Sequence, residues 1–201
     1  MTRYYAALAA VTVAVLLGGT AGVIYTNQSN DPYAQCRGGQ VAGDIGGPFT
    51  LVDGSGVTVT DAEVLAKPAL IYFGFTFCPD VCPLDNARNA EAVDILEERG
   101  LDVIPVFISI DPARDTPEIM QEYAESMHPK MIALTGSEDQ VRVASQAYRT
   151  FYRKQPAEDA FYLVDHSTFT YLMLPGTGFA DFFRREDTAD QMADRVACFL
   201  G

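Results

Sequence analysis

The sequence predicts an α/β domain with a mixed central β-sheet, preceded by one transmembrane helix. Three observations support this class: apolar β-prone runs alternate with capped helical segments, a hairpin pattern stands before them, and the amino-terminal stretch is uncharged. The chain has 201 residues, of which 48% are hydrophobic and 20% are charged. This composition is typical of one folded domain with an extension.

The first thirty residues differ in composition from the rest. Tyr4 to Asn30 carries no charged side chain, and the run from Ala6 to Tyr25 is mostly apolar. A helix of that length spans the hydrocarbon core of a bilayer. Because Arg3 and the terminal amine supply the positive charge on the short side, the positive-inside rule predicts export of the remainder. We expect a retained single-pass anchor in the inner membrane, with the domain in the periplasm. A cleaved signal peptide is the alternative, although the apolar run is long for one.

The net charge of the chain excludes one class of function. Fourteen Lys and Arg stand against 27 Asp and Glu, which gives a formal charge of −13. Residues 1–30 hold Arg3 and no acidic residue, so residues 31–201 carry 13 basic against 27 acidic side chains, or −14. A nucleic-acid partner requires a basic surface that displaces phosphate counterions. We therefore expect no nucleic-acid partner.

A polar, Gly-rich segment follows the apolar stretch. It includes Asp31-Pro32, Gly38-Gly39 and Gly46, a composition typical of a tether. The sequence thus predicts three parts, which are an anchor over 1–30, a tether over 31–46 and a folded domain over 47–201.

The first elements of the domain are a hairpin and two buried strands. Apolar and polar residues alternate from Phe49 to Val59 around a Gly-rich turn, which is typical of a hairpin with one buried face. Residues 69–77 and 101–110 are nearly continuous apolar runs, as in strands buried on both faces. Between them, helical composition from Pro83 to Glu98 ends at Gly100.

Helices and strands continue to alternate in the second half. Thr116 before Pro117 predicts a helix start, and capping boxes predict two more at Ser137 and Thr188. The predicted elements are helices over 117–127, 137–151 and 188–199, and strands over 131–134, 161–165 and 168–174, the last two paired as a hairpin. This order matches a thioredoxin-like layout, in which chemistry gathers where strands end and helices begin.

Two cysteines lie at such a junction. Cys78 and Cys82 follow the first buried strand, and a spacing of four places both sulfurs on one side of a segment that turns into a helix. A helix N-terminus favours their thiolate forms. Three interpretations are open. The pair could form a structural disulfide, although such a short loop would add little to the stability of the fold. It could be a catalytic redox-active pair, with a spacing one residue wider than Cys-x-x-Cys. It could also provide two metal ligands.

A third metal ligand must come from elsewhere in the chain, which has two histidines. His166 follows a predicted buried strand at a turn, and its imidazole can reach over the cysteine loop if the two strands lie side by side. His128 lies in a polar connection, and we expect it to be exposed, with no metal role. Thiolates with an imidazole suit Cu(I), Cu(II) or zinc. Three ligands leave an open position for passing the ion on, which favours copper over a structural zinc site.

Three motifs, in this order, resemble those of the Sco/SenC family of copper-binding assembly proteins. They are FTFCPDVCP at residues 75–83, SIDPARDTP at 109–117 and LVDHS at 163–167. The resemblance spans about residues 47–199. It implies a thioredoxin-like domain in which Cys78, Cys82 and His166 bind one copper ion.

The same resemblance implies a role in maturing the binuclear copper centre of cytochrome c oxidase. The chain would act there as a metallochaperone, as a thiol reductant for the recipient cysteines, or as both. The implied partners are the copper-containing subunit II of the oxidase and another periplasmic copper chaperone or thioredoxin-like reductant.

Four aspartates near these motifs have smaller expected roles. By the resemblance, Asp165 assists transfer to the partner; the alternative is a strand-end carboxylate that accepts backbone N–H bonds. We expect Asp111 and Asp115 to shape a turn and cap a helix. We expect Asp80 to be a solvated turn residue rather than an oxygen ligand of Cu(II).

Two further features bear on the alternatives. Cys36 and Cys198 are additional to the metal pair, and we hypothesise that in an oxidising compartment they bond to each other and clamp the tether to the domain. Thioredoxin-like exchange enzymes place a proline directly before the strand that faces the cysteines, whereas Pro156 here is five residues ahead of Phe161. That weakens the alternative of a metal-free thiol-disulfide oxidoreductase or peroxidase. A copper or redox sensor is a third alternative.

Overall fold

The computed structural model of the chain describes residues 2–29, 33–39, 44–157 and 161–201. The chain divides into two compact units, Met1–Gln35 and Cys36–Gly201. The first unit contains helix α1 (Thr2–Ser29). Within the described residues, no helix combines the length and the apolar character that a membrane crossing requires. The predicted transmembrane helix is therefore not confirmed.

The second unit is built on two β-sheets. Its elements are β1 (Thr50–Asp53), β2 (Thr58–Thr60), α2 (Asp61–Val64), β3 (Ala69–Gly74), α3 (Val81–Glu98), β4 (Ile104–Ser109), α4 (Pro117–Met127), β5 (Ile132–Thr135), α5 (Glu138–Ala147), β6 (Tyr152–Lys154), β7 (Val164–His166), β8 (Thr170–Leu174), β9 (Gly178–Phe183) and α6 (Ala189–Leu200). The larger sheet has the strand order β2-β1-β5-β4-β3-β8-β9, and β6 pairs with β7 in a small separate sheet. Strands β3, β4 and β5 are parallel, whereas β1 and β8 are antiparallel to their neighbours. This confirms the predicted α/β class, the mixed sheet and the hairpin.

The two predicted apolar strands, β3 and β4, lie next to each other within the larger sheet. All of β3 is buried, and β4 is buried from Pro105 onward. They run parallel, with Gly74 opposite Ser109 at their carboxyl ends. The loop that contains Cys78 and the loop that contains Asp111 therefore leave the sheet at the same edge.

The helix starts follow the predicted capping residues. Thr116, Ser137 and Thr188 each accept a hydrogen bond from a backbone N–H in the first turn of α4, α5 and α6. Helix α5 ends at Ala147, earlier than predicted. The reason is local, because Arg149 has a φ of 52°, a left-handed conformation that a helix does not accommodate.

The predicted hairpin of strands 161–165 and 168–174 is wrong. Strand β7 pairs with β6, which places His166 opposite Tyr152, and β8 pairs with β9. Strand β9 was not predicted from the sequence because the buried Asp181 interrupts its apolar pattern. Consequently His166 lies on a small sheet that is not hydrogen-bonded into the larger one.

A disulfide joins Cys36 to Cys198 of α6, which confirms the hypothesis drawn from the sequence. Near it, the backbone N–H of Gly38 donates to the Asp181 carboxylate at 3.0 Å, and Arg195 pairs with the same carboxylate. These contacts attach residues 36–38 to α6 and β9.

Candidate metal centre

The structure brings Cys78, Cys82 and His166 together. One sulfur from each cysteine and one imidazole nitrogen all lie within 4.8 Å of one another. The Cys82 Sγ is 3.3 Å from the His166 Nε2, and both cysteines are free thiols. Within the part of the chain that the structure describes, these residues form the one cluster of three or more potential metal-binding His, Cys, Asp and Glu side chains.

Cys82 lies in the first turn of α3, which begins at Val81, slightly earlier than predicted. Its side chain is fully buried against the end of β3. A Cβ at Gly74 would lie 2.9 Å from the Cys82 sulfur and 2.8 Å from the Phe107 ring. Glycine at this position therefore allows the strand to approach the sulfur closely.

Cys78 lies in the turn before α3 and accepts a hydrogen bond from the backbone N–H of Cys82 at 3.4 Å. The hydrogen bond that the Cys82 thiol donates, helped by the backbone N–H groups of Asp80 and Cys82, lowers the pKa of Cys78 to about 5, although burial opposes this. The same thiol-to-thiolate bond and its own burial raise the pKa of Cys82. Near neutral pH the pair thus holds one thiolate, on Cys78, and one thiol.

His166 ends β7 with its ring oriented by hydrogen bonding and by aromatic contacts. Its Nδ1 lies 2.7 Å from the carbonyl oxygen of Ser167. Since a carbonyl accepts only, Nδ1 carries a proton, and in the neutral imidazole Nε2 then presents its lone pair toward the thiols. The rings of Tyr72 and Phe75 contact the imidazole edge-to-face, with centroids 6.1 and 5.9 Å away. A metal-binding imidazole is commonly oriented in the same way, by a hydrogen bond from its other ring nitrogen to a carbonyl oxygen.

Cys78 and His166 line a surface depression of about 390 Å³, whereas Cys82 is fully buried. Its walls come from the cysteine loop and from the small sheet, and they include Asp80, Gln155, Leu163 and Asp165. An incoming ion, or a side chain of a partner protein, can therefore reach the Cys78 sulfur and the imidazole from one side.

Asp165 and Asp80 lie outside the group of three donors in the described structure. Within the described part of the chain, Asp165 accepts hydrogen bonds from side chains, the Arg153 guanidinium at 2.9 Å and the Gln155 amide at 2.6 Å. The hydrogen bonds from Gln155 and Arg153 lower the pKa of Asp165. Asp80 is exposed at the N-cap position of α3, and its side chain makes no capping hydrogen bond.

Asp111 and Asp115 are both fully buried and bridge separate segments. Asp115 accepts hydrogen bonds from Ser109 and from the Thr76 hydroxyl at 2.6 Å, so it links the end of β4 to the cysteine loop. Burial raises the pKa of Asp115. Thr116, rather than Asp115, caps α4. Thr76, which bonds to Asp115, and Tyr162, which bonds to Asp111, come from distant parts of the chain, so no local pattern indicates these contacts.

His128 is buried, so the expectation that it is exposed is wrong. Its Nδ1 accepts the backbone N–H of Lys130 at 3.0 Å, and its Nε2 lies 3.1 Å from the Asp94 carboxylate. The polar neighbours of His128 in the sequence gave no sign that the ring contacts α3. Both ring nitrogens are engaged by protein groups.

The two thiols are expected to react with iodoacetamide at very different rates in the reduced chain. Because the pKa of Cys78 is lowered to about 5, its alkylation rate should rise through that pH rather than near 8.5, the value of a free cysteine. Peptide mapping after short exposures at several pH values measures this, and Cys78→Ser should remove the fast reaction. Equal rates for Cys78 and Cys82 would contradict the assignment.

Comparisons with known proteins agree with this geometry. The family model described as SCO1/SenC matches residues 37–201. Protein SenC of Rhodobacter capsulatus is 52% identical over 198 residues, which cover 97% of this chain and 90% of SenC. The structure of Arabidopsis thaliana ScoI with copper bound is 44% identical, with a TM-score of 0.73 over 76% of this chain and 95% of that one.

Yeast Sco1 with copper bound is also similar. It is 37% identical, with a TM-score of 0.72 over 77% of this chain and 87% of the yeast chain. The second unit shares the thioredoxin-like α/β fold of these structures. The chain belongs to the SCO1/SenC family.

Proposed function

We propose that this chain binds one copper ion through Cys78, Cys82 and His166 and delivers it during maturation of the binuclear copper centre in subunit II of cytochrome c oxidase. The observation that carries the proposal is the convergence of two sulfurs and one imidazole nitrogen within 4.8 Å. Membership of the SCO1/SenC family and the copper-bound structures of two relatives support copper as the ion. Thiolates suit Cu(I), and the imidazole also suits Cu(II).

The position of the three donors supports transfer of the ion rather than permanent storage. Three protein ligands leave a coordination position open toward the surface depression. A thiolate of a recipient can enter that position before the ligands of this chain leave. Binding releases the proton that Cys82 holds in the free protein, because the ligand form of cysteine is the thiolate.

The same two sulfurs support a second role as a reductant of recipient cysteines. The observation that favours it is the opposite direction of the two pKa shifts, lowered for Cys78 and raised for Cys82. The Cys78 thiolate attacks one sulfur of a recipient disulfide, and the other sulfur leaves as a thiolate. Cys82 then loses its proton and attacks Cys78, which releases the second recipient thiolate.

That exchange passes two electrons to the recipient and leaves a Cys78–Cys82 disulfide on this chain. A thioredoxin-like dithiol reductant then restores the two thiols by the reverse exchange. Reduction of the recipient cysteines can precede copper delivery. Both the recipient and this chain must hold thiolates before the ion moves.

Copper uptake is expected to require the reduced pair. The dithiol form should bind one Cu(I) per chain, whereas the form with a Cys78–Cys82 disulfide should bind weakly, because its sulfurs have no thiolate to offer. Equilibrium competition with a coloured Cu(I) chelator measures both forms. Cys78→Ser with Cys82→Ser, kept under the same reducing conditions, is the control that separates loss of thiolates from oxidation of other groups. Equal affinity of the dithiol and disulfide forms would count against a thiolate site.

We propose further that residues 1–30 hold the chain at the inner membrane, with the second unit in the periplasm. The uncharged run from Tyr4 to Asn30 and the Cys36–Cys198 disulfide, which suits an oxidising compartment, support this placement. In a Gram-negative host, the full chain should stay with the membrane pellet after alkaline carbonate washing. A matched version that begins at residue 31 behind a cleavable export signal should be released. Release of the full chain by carbonate would overturn the anchor.

A further inference from the structure

The position of His166 depends on contacts between two separate sheets. The imidazole lies on the small sheet of β6 and β7, whereas the cysteines belong to the loop and helix that follow β3 in the larger sheet. In the described structure, the strands of the small sheet are not hydrogen-bonded to the strands of the larger sheet. Besides the short connection of residues 167–169 to β8, side-chain contacts hold the small sheet against the rest of the unit and so contribute to the 3.3 Å separation of Cys82 Sγ and His166 Nε2.

A buried carboxylate makes the first of these contacts. Asp111, in the loop after β4, has no solvent exposure. It accepts a hydrogen bond from the Tyr162 hydroxyl at 2.7 Å and lies 3.4 Å from the Lys154 ammonium. Lys154 ends β6, and Tyr162 stands two residues before β7. One carboxylate thus contacts the last residue of β6 and the segment that leads into β7.

A guanidinium makes the second contact. Arg114 pairs with Asp111 and lies over the ring of Tyr162, with its central carbon 3.6 Å from the ring centroid. It also faces the rings of Phe77 and Phe75, at 5.0 and 5.6 Å, on the cysteine loop. Phe75 in turn contacts the His166 imidazole. Arg114 therefore lies between the small sheet and the loop that contains Cys78.

Among the residues that the structure describes, other contacts of the small sheet have less directional character. The bonds of Asp165 to Arg153 and Gln155 stay within the sheet and the residue that follows β6. Val164 and Tyr152 pack against the apolar core, but apolar contact is non-directional. The hydrogen bond to Asp111 and the cation–π contact of Arg114 with Tyr162 are more directional.

We propose that Asp111, Arg114 and Tyr162, called the latch below, are positioning residues that hold His166 over the two thiols. The effect of the latch on copper affinity rests on the proposed function. Without the latch, the small sheet keeps its ladder and its apolar contacts but samples several orientations. The imidazole is then in place for a smaller fraction of the time, and the apparent dissociation constant for copper rises in inverse proportion to that fraction.

The test uses three latch variants and two matched controls in the full chain. Tyr162→Phe removes the hydroxyl that Asp111 accepts, Tyr162→Ala also removes the ring, and Arg114→Gln removes the cation. Tyr152→Phe makes the same hydroxyl deletion elsewhere on the small sheet. Arg142→Gln removes an exposed arginine of α5 that pairs with Asp139.

Copper titration should separate these variants. Substitution of groups that orient a metal ligand typically weakens binding about 10–100-fold. We expect a loss of about tenfold or more in Tyr162→Ala and Arg114→Gln, a smaller loss in Tyr162→Phe, and wild-type affinity in both controls. Electron paramagnetic resonance of the Cu(II) forms should show weakened or heterogeneous nitrogen coupling in the latch variants, which a general loss of stability would not produce.

A second measurement needs no copper. In the reduced chain, nuclear Overhauser contacts between the His166 and Phe75 rings should weaken in the latch variants and persist in the controls. Unchanged ring contacts and unchanged copper affinity in Tyr162→Ala and Arg114→Gln would overturn the latch. A wild-type chain that fails to bind copper, while the latch variants still lose the ring contacts, would instead overturn the proposed function. Should Tyr162→Ala fail to fold, Tyr162→Phe and Arg114→Gln decide the outcome.

Discussion

Replacing His166 by alanine is expected to weaken copper binding by at least about 100-fold, since even outer-shell substitutions at metal sites cost about 10–100-fold. The variant loses the one nitrogen donor, at Nε2, that faces Cys82. The loss should be greater for Cu(II) than for Cu(I), because two thiolates alone still suit Cu(I). Disulfide exchange by Cys78 and Cys82 should continue, since both sulfurs remain. Parallel titrations with Cu(I) and Cu(II) measure the effect.

The second histidine of the chain provides a matched control. His128 is buried and contacts Asp94 and the backbone of Lys130. His128→Asn retains an acceptor for the Lys130 N–H, and we expect it to keep wild-type copper affinity. Comparable losses in His166→Ala and His128→Asn would show that the effect comes from the fold, and wild-type affinity in His166→Ala would remove the imidazole from the site.

Removal of the Cys36–Cys198 disulfide is expected to lower the free energy of unfolding by about 2–5 kcal/mol. The bond joins residues 162 positions apart in the sequence, so it restricts a very long loop in the unfolded chain. Replacing both cysteines by serine removes this restriction and also loosens the contacts around Gly38. Urea unfolding followed by circular dichroism measures the change in midpoint and in slope.

The double variant must be compared with a chain that keeps this disulfide and lacks the other two thiols. Cys78→Ser with Cys82→Ser serves this purpose and should unfold near the wild-type midpoint when no copper is present. The single variant Cys36→Ser should match the double variant, because one cysteine alone forms no bond. An unchanged midpoint in both would show that the disulfide contributes nothing to stability.

Features that depend on neighbouring residues could be predicted from the sequence. The apolar runs of β3 and β4 identify strands buried on both faces, because burial on two faces leaves no polar alternation. Thr116, Ser137 and Thr188 identify helix starts, because their side chains bond to N–H groups within three residues. The position of Cys78 and Cys82 at a strand-to-helix junction follows from the same local patterns.

Features that depend on distant partners could not be predicted in this way. Strand β9 contains the buried Asp181, which pairs with Arg195. A charged residue within the strand breaks the apolar pattern by which a buried strand is identified. The pairing of β7 with β6 is set by register across a loop. The approach of His166 to Cys82 came from resemblance to a family and not from the spacing of residues. The contacts of Asp111 with Tyr162 and of His128 with Asp94 join segments that no local pattern connects.

The most direct test of the account is X-ray absorption at the copper edge on the reduced full chain loaded with one equivalent of Cu(I). We expect an inner shell of two sulfurs and one imidazole nitrogen, from Cys78, Cys82 and His166. A shell that contains no sulfur, or one built from sulfur alone, would contradict the claim that these three residues share one ion.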